Sequence, residues 1–213
     1  MRGMLGGGSR LEGSGREIGE EMKRSTRIGF SMLAGLALAG LGAGSASATT
    51  LEVGGVKQTG SVAITASLKA GSLFYVKDTA GFIQNACETV HLAWSTSSPY
   101  SATSVKGTVS TLTFGNCTRP VTVHKKGKLV ITSTSGTTGE VGSEEAQVTF
   151  SSAIGTLNCT TGSNTYIGYV FGVASGNANL VTFGNVINCG IIPSARLEGD
   201  FNITSPGGLG VTG

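Results

Sequence analysis

The sequence beyond residue 48 predicts an all-β protein, an antiparallel β-sandwich or barrel, because two patterns typical of strands run through it. Apolar residues alternate with polar ones, which is the period-2 signature of strands with one buried face. Gly and Ser-Thr-Gly clusters separate these runs about every 8–12 residues, the turn spacing of sandwiches and barrels. Thr and Ser fill the polar positions, and such residues suit a pleated sheet better than a helix.

The predicted strands follow from these rows in chain order. The apolar rows are Val62-Ile64-Ala66-Leu68, Val121-Val123, Leu129-Ile131, Ile167-Tyr169-Phe171-Val173 and Leu197-Phe201-Ile203. The second and third rows flank Lys125-Lys126-Gly127 and predict a β-hairpin over residues 121–131, in which Gly127 adopts a positive φ. The segment from Ser205 to Gly213 is rich in Gly and Pro, so we expect a frayed C-terminal tail.

Residues 1–48 read as an N-terminal extension and a signal peptide. Three positive charges between Met22 and Arg27 precede 16 uncharged residues, Ile28 to Ala43, and the small residues Ala46-Ser47-Ala48 follow. This order is typical of a secretory signal peptide, and the run is too short for a spanning helix. We expect general export with cleavage between Ala48 and Thr49. Residues 1–21 resemble a translated ribosome-binding region, which indicates a start assigned too early and a true start at Met22.

The expected mature chain, residues 49–213, is one β domain with almost balanced charge. Nine Lys and Arg remain against eight Asp and Glu, so its net charge is about +1. A nearly neutral chain does not favour nucleic-acid binding, which needs a basic face to displace counterions from phosphates.

All four cysteines lie in this mature part and predict two disulfides, as expected for an exported chain. Three pairings are possible, and the spacing favours Cys87–Cys117 and Cys159–Cys189, because each pair is 30 residues apart and the pairs are offset by 72. This symmetry, with recurring Thr-Phe-Gly-Asn and Asn-Cys, suggests an internal duplication of about 70 residues. Zinc ligands usually come as close Cys-x-x-Cys pairs, which the sequence lacks, so we expect no metal or other cofactor.

Candidate chemical groups are few. The only histidines of the mature part are His91 and His124, and the chain contains no Gly-x-Ser-x-Gly motif that would supply a nucleophilic serine to either of them. No catalytic residue is therefore predicted. Glu198 and Asp200 share a strand face that we expect to be solvent-exposed, opposite Leu197, Gly199 and Phe201.

Two groups are weak candidates for surface binding. Lys125, Lys126 and Lys128 form a cluster suited to anionic polymers or lipid head groups, although a solvated turn is the ordinary interpretation. Trp94 followed by Tyr100 could stack on carbohydrate, whereas a single Trp in a β domain is more often a core residue.

Several segments resemble a group of small exported proteins of soil actinobacteria. The segments are Ala48–Val56, Leu112–Thr118, Pro120–His124, Ser143–Ala146 and Gly155–Cys159. The order of signal peptide, Ala-Thr start, four cysteines and Ser/Thr/Gly-rich strands is also similar to PraB-like exported activators of alkane oxidation. The first resemblance brings no function with it. The second implies an accessory role at the surface or outside the cell, without catalytic residues to transfer.

The sequence thus predicts a secreted or surface-associated, non-enzymatic bacterial β protein with a binding, adhesion or accessory role. The expected partners are a cell-envelope polymer, a hydrophobic surface or other surface proteins, without a stable membrane anchor in the mature form. Two alternatives stay open. One is a secreted hydrolase with an unrecognised site, which would show a cleft of convergent polar groups. The other is a subunit of a surface assembly, which would show an unpaired strand edge.

Overall fold

A computed structural model describes residues 48–97 and 103–213, which form strands and turns and no helix within those ranges. The strands are β1 Thr50–Val53, β2 Val56–Lys57, β3 Ala63–Leu68, β4 Phe74–Asp78, β5 Ile83–Thr96, β6 Val105–Cys117, β7 Val121–Lys125, β8 Lys128–Ser135, β9 Thr138–Glu144, β10 Gln147–Ser152, β11 Gly155–Thr160, β12 Thr165–Phe171, β13 Asn179–Thr182, β14 Asn185–Cys189, β15 Ile192–Ser205 and β16 Leu209–Thr212. The prediction of an all-β, antiparallel fold is confirmed. The expected signal peptide lies outside the described residues, apart from its last residue, Ala48.

Eight strands form a closed antiparallel barrel. Their order is β13-β12-β9-β8-β6-β5-β3-β15, and pairing of β13 with β15 closes the ring. In that closing pair Leu180 lies opposite Phe201, and both side chains are buried. Eight strands enclose a space that side chains just fill, and fully buried residues such as Ile64 and Val141 occupy it.

Three long strands, β5, β6 and β15, continue past the barrel. There β4 fits between β15 and β5, and β14 pairs with the other edge of β15. We call β14-β15-β4-β5-β6 the extended sheet, and β11-β10-β7 the small sheet. The two sheets pack face to face, since the rings of Phe114 on β6 and Phe150 on β10 have centroids 5.6 Å apart. The molecule therefore combines a barrel with a short sandwich.

Both disulfides lie in this sandwich. Cys87 on β5 bonds to Cys117 directly opposite on β6, and Cys159 on β11 bonds to Cys189 on β14. These are the pairs that the spacing favoured. Each bridge closes a loop of 30 residues, which contributes about 3–4 kcal/mol in the chain-entropy treatment. The second bridge also fastens the small sheet to the extended sheet along one edge.

The expected frayed tail is wrong. Leu209–Thr212 forms β16, which pairs with β1 over its whole length, and the side chains of Leu209 and Val211 are fully buried. The glycines that suggested disorder instead allow close packing: a Cβ on Gly208, at φ 69°, would lie 2.9 Å from the Gly54 nitrogen. The first expected mature residue, Thr49, is also buried, and its hydroxyl donates to the Thr103 carbonyl.

The predicted hairpin over residues 121–131 is also wrong. Strand β7 pairs with β10, whereas β8 pairs with β6 and β9, so the two apolar rows lie in different sheets. Gly127 has the expected positive φ of 74° but forms a corner between the sheets. Strand β7 turns away from β6 at this corner, and alternation alone cannot distinguish a corner from a hairpin turn. Among the described strands, β6 beyond Val109 pairs only with β5.

Candidate functional site

The two histidines lie on exposed outer faces. His91 Nδ1 is 2.9 Å from the Ser67 hydroxyl, and His124 Nε2 is 2.9 Å from the Thr149 hydroxyl. The Thr149 hydroxyl donates its hydrogen bond to the Asn158 side-chain oxygen. His124 Nε2 is therefore the donor in its hydrogen bond with Thr149. A triad needs a carboxylate on the second ring nitrogen of the base. Neither histidine of the described chain has a hydrogen-bonded carboxylate, and both pairs are exposed to water.

The carboxylates singled out in the sequence are held by cations. Glu198 bonds to Lys77 and lies 3.8 Å from Arg196, while Asp200 lies 3.6 Å from Lys69. Both carboxylates point outward, as predicted. Within residues 48–97 and 103–213, no group of three or more His, Cys, Asp or Glu side chains is arranged to hold a metal.

The lysine cluster divides into two kinds of side chain. Lys125 and Lys128 lie 3.0 and 3.9 Å from Glu145, so much of their charge is compensated. The hydrogen bond and charge of Lys125, aided by the charge of Lys128, lower the pKa of Glu145 against a smaller opposing effect of desolvation. Lys126 instead donates to the Ser110 carbonyl and borders an internal cavity.

Trp94 is a core residue and not a carbohydrate platform. Its side chain is 3% exposed inside the barrel. The ring packs above Gly107, where a Cβ would lie 2.7 Å from the indole Cδ1. Tyr100 lies outside the described residues. This candidate is therefore wrong, since a buried indole offers no surface for a ligand.

A β-bulge in β12 creates an aromatic surface that the sequence did not predict. The pairing of β12 with β9 shifts between Tyr166 and Gly168. Ile167 faces the core before the bulge and Val170 faces it afterwards. Tyr169 and Phe171 therefore point outward, although the alternating row placed them beside Ile167. Bulges often redirect side chains near functional sites.

We define the aromatic face as Tyr75, Tyr166, Tyr169, Phe171 and Phe183. Around Tyr169, ring centroids lie 5.5 Å from Tyr166, 5.5 Å from Phe183 and 6.2 Å from Phe171. Phe171 and Phe183 are each 43% exposed. Burial, together with a hydrogen bond to Tyr169, raises the pKa of Tyr166.

A shallow depression of about 570 Å³ adjoins this face, and its walls include Tyr75, Phe183, Glu198 and Asp200. Gly199 forms part of its floor because a Cβ there would point inward, 2.9 Å from the rings of Phe201 and Phe74. Aromatic carbon surface thus lies beside carboxylate oxygens and the ammonium groups that pair with them. Such a surface can combine apolar contact with several hydrogen bonds.

A second candidate site is a cavity of about 110 Å³ between the extended sheet and the small sheet, reaching into the barrel. Its walls are mainly the side chains of Phe74, Phe114, Phe150, Val90, Val148 and Leu180. The bridge from Cys159 to Cys189 closes one edge of the sandwich. The opposite edge, between β6 and β7, has no strand pairing among the described residues.

Comparison with protein families, curated proteins and solved structures finds no match for this chain. The described residues include no candidate membrane-spanning helix. The two disulfides indicate that the protein folds in an oxidising environment.

Proposed function

We propose that this protein is exported and acts outside the cell or at its surface as a non-enzymatic binding module for a carbohydrate polymer. The observation that carries the proposal is the aromatic face and its adjoining depression. Sugar rings present apolar C–H faces and a rim of hydroxyl groups. The exposed Phe rings and the half-buried Tyr rings can stack on the faces, while Glu198 and Asp200 accept hydrogen bonds from the hydroxyls.

The charges around the depression favour a polymer without high charge. Glu198 and Asp200 are accompanied by Lys69, Lys77 and Arg196, which leaves one excess positive charge. A strongly anionic polymer would meet the two carboxylates, and a cationic one would meet the three cations. Hydroxyl groups both donate and accept hydrogen bonds, and therefore suit such a mixed rim.

The test is retention of the oxidised mature chain, residues 49–213, on cellulose, chitin and purified peptidoglycan. We expect retention on at least one polymer and elution by its soluble oligosaccharides. Phe183→Ala and Tyr169→Ala should each weaken retention about 10–100-fold, the range for a central aromatic contact. Phe82→Ala is the matched control, because Phe82 is 70% exposed in the β4–β5 turn and belongs neither to the aromatic face nor to the walls of the depression. Equal retention of all three variants would contradict the proposal.

The same preparation separates the two alternatives. A hydrolase would release new reducing ends from the retained polymer, whereas a binding module leaves the polymer intact. An assembly subunit would associate with itself through the β6 edge, and light scattering would show a mass that rises with concentration. A stable monomer that is retained without cleavage is the expected result.

A further inference from the structure

The cavity between the extended and small sheets has a polar end as well as an apolar body. Ser143 is 6% exposed and borders the cavity together with Thr161 and Lys126. The Ser143 and Thr161 hydroxyls lie 3.2 Å apart, and Thr161 accepts a hydrogen bond from the Ala146 nitrogen at 2.8 Å. Two hydroxyls that share one hydrogen bond leave one O–H free to donate.

The charge at this end is positive. Four lysines, at 106, 125, 126 and 128, surround the corner against Glu144 and Glu145, which gives a net charge of +2. Three of the lysines lie within 4 Å of a glutamate oxygen. Lys126 donates to a backbone carbonyl instead, and it is the lysine that borders the cavity. An anionic group at this position would therefore be stabilised.

The cavity is accessible because the sandwich is open along one edge. Leu112 and Phe114 border the cavity from β6 but remain half-buried, since β7 turns away from β6 at this point. The Lys126 side chain spans the gap to Ser110. A small ligand can enter between β6 and β7 once this flexible side chain moves aside.

We propose that the cavity binds a small amphiphile with a compact apolar body and a carboxylate head group. The volume of about 110 Å³ is somewhat below that of an engineered apolar cavity of about 150 Å³ that holds benzene. The body is therefore a short aliphatic chain or a single small ring. Its carboxylate pairs with the Lys126 ammonium and accepts a hydrogen bond from the Ser143–Thr161 hydroxyl pair. This site is separate from the aromatic face, and the two proposals can fail independently.

The experiment is an NMR titration of the oxidised mature chain with hexanoate and, separately, with benzene. Both probes should shift the methyl signals of Val148 and Leu180 in a saturable manner. Lys126→Met should weaken hexanoate binding at least tenfold, because a hydrogen bond to a charged group is lost, and should leave benzene binding unchanged. Lys128→Met is the matched control and should change neither, since Lys128 pairs with Glu145 and does not border the cavity.

A cavity-filling variant gives the complementary result. Val148→Phe should abolish binding of both probes while the remaining spectrum stays dispersed. If this variant does not fold, Val90→Ile adds one methyl group inside the cavity and should weaken both probes. The proposal is overturned if hexanoate gives no saturable shifts in the wild type. It is equally overturned if Lys126→Met and Lys128→Met weaken hexanoate to the same extent, or if both filling variants bind as the wild type does.

Discussion

Gly168 should be the residue that most directly maintains the aromatic face, and Gly168→Ala tests this. A Cβ at this position would lie 2.0 Å from the Val181 carbonyl oxygen and 2.9 Å from the Thr182 Cα. Both atoms belong to the backbone of β13, so no side-chain rotation relieves the contact. The strands β12 and β13 would have to separate by roughly 1.5 Å to restore an ordinary packing distance.

The cost follows from two contributions. Overpacking of a close contact costs about 1–3 kcal/mol, and weakening a ladder hydrogen bond costs about 1 kcal/mol more. We therefore expect the free energy of unfolding to fall by about 2–4 kcal/mol. For a chain of this size each kcal/mol lowers Tm by about 2–4 °C, so the melting temperature should fall by roughly 4–16 °C.

Urea denaturation of the oxidised mature chain measures this change, and Gly60→Ala is the matched control. A Cβ on Gly60 would meet no atom within 4 Å, so this substitution should change stability by less than about 0.5 kcal/mol. Gly168→Ala should also weaken retention on the carbohydrate polymer, because Tyr169 follows directly on the bulge. If Gly168→Ala is as stable as Gly60→Ala, the close packing of β12 against β13 does not depend on glycine.

Three further predictions concern the sandwich and its corner. Phe150→Ala should lower the free energy of unfolding by about 3–5 kcal/mol in urea denaturation, because the ring is 2% exposed and packs on the extended sheet; a loss below about 1 kcal/mol would contradict this packing. Replacing Cys159 and Cys189 together by Ser should cost about 3–4 kcal/mol in the same assay, and an unchanged midpoint would argue against a structural role for the bridge. Lys125 lowers the pKa of Glu145 from its ordinary value of 4.5, so the ionised carboxylate should stabilise the folded state above pH 4.5. This stabilisation should be lost as the pH falls through the pKa that Glu145 has in the folded protein, and NMR titration should show a higher pKa in Lys125→Met.

The sequence predicted the class of fold because period-2 alternation depends only on which face of each strand is buried. The row from Ile64 to Leu68 faces the core as expected, and so do Leu197 and Phe201 on β15. Alternation carries no information on which strands become neighbours. The rows of β7 and β8 therefore suggested a hairpin, although tertiary pairing places them in different sheets.

The candidate site was missed for a related reason. The apolar residues from Ile167 to Val173 alternate regularly in the sequence, and a strict alternation would bury Tyr169 and Phe171. The register shift leaves Ile167 as the extra residue opposite β9 and moves these rings to the outside, and the next position has no room for a Cβ, which would lie 2.0 Å from the Val181 carbonyl oxygen. A glycine inside a strand is a recognised sign of a bulge or a close approach, and it is the one signal that could have indicated the aromatic face.

The two disulfides support an internal duplication more strongly than the repeated sequence motifs do. Cys87 and Cys117 each lie 72 residues before their counterparts, Cys159 and Cys189. Cys87 and Cys117 lie on paired antiparallel strands of one sheet, and Cys159 and Cys189 lie on strands of two sheets that an antiparallel bridge between Leu157 and Gly190 connects. The Thr-Phe-Gly-Asn repeats, in contrast, differ in environment, because Phe114 packs in the sandwich whereas Phe183 is exposed.

A backbone feature shared by the two units gives this idea a test. Asn116 and Asn188 immediately precede the second cysteine of each pair, and both have a positive φ, 49° and 66°. A residue with a Cβ costs about 1–2 kcal/mol in this conformation unless it is Asn or Asp, so Ala should destabilise at both positions and Gly should be tolerated. Asn158 precedes Cys159 within β11, where Gly should cost about 0.5–1 kcal/mol. Urea denaturation of the Ala and Gly variants at all three positions measures this pattern. If the Ala and Gly variants are equally stable at positions 116 and 188, the two Asn-Cys pairs have the same sequence but no common structural role. That result would remove this support for a duplication.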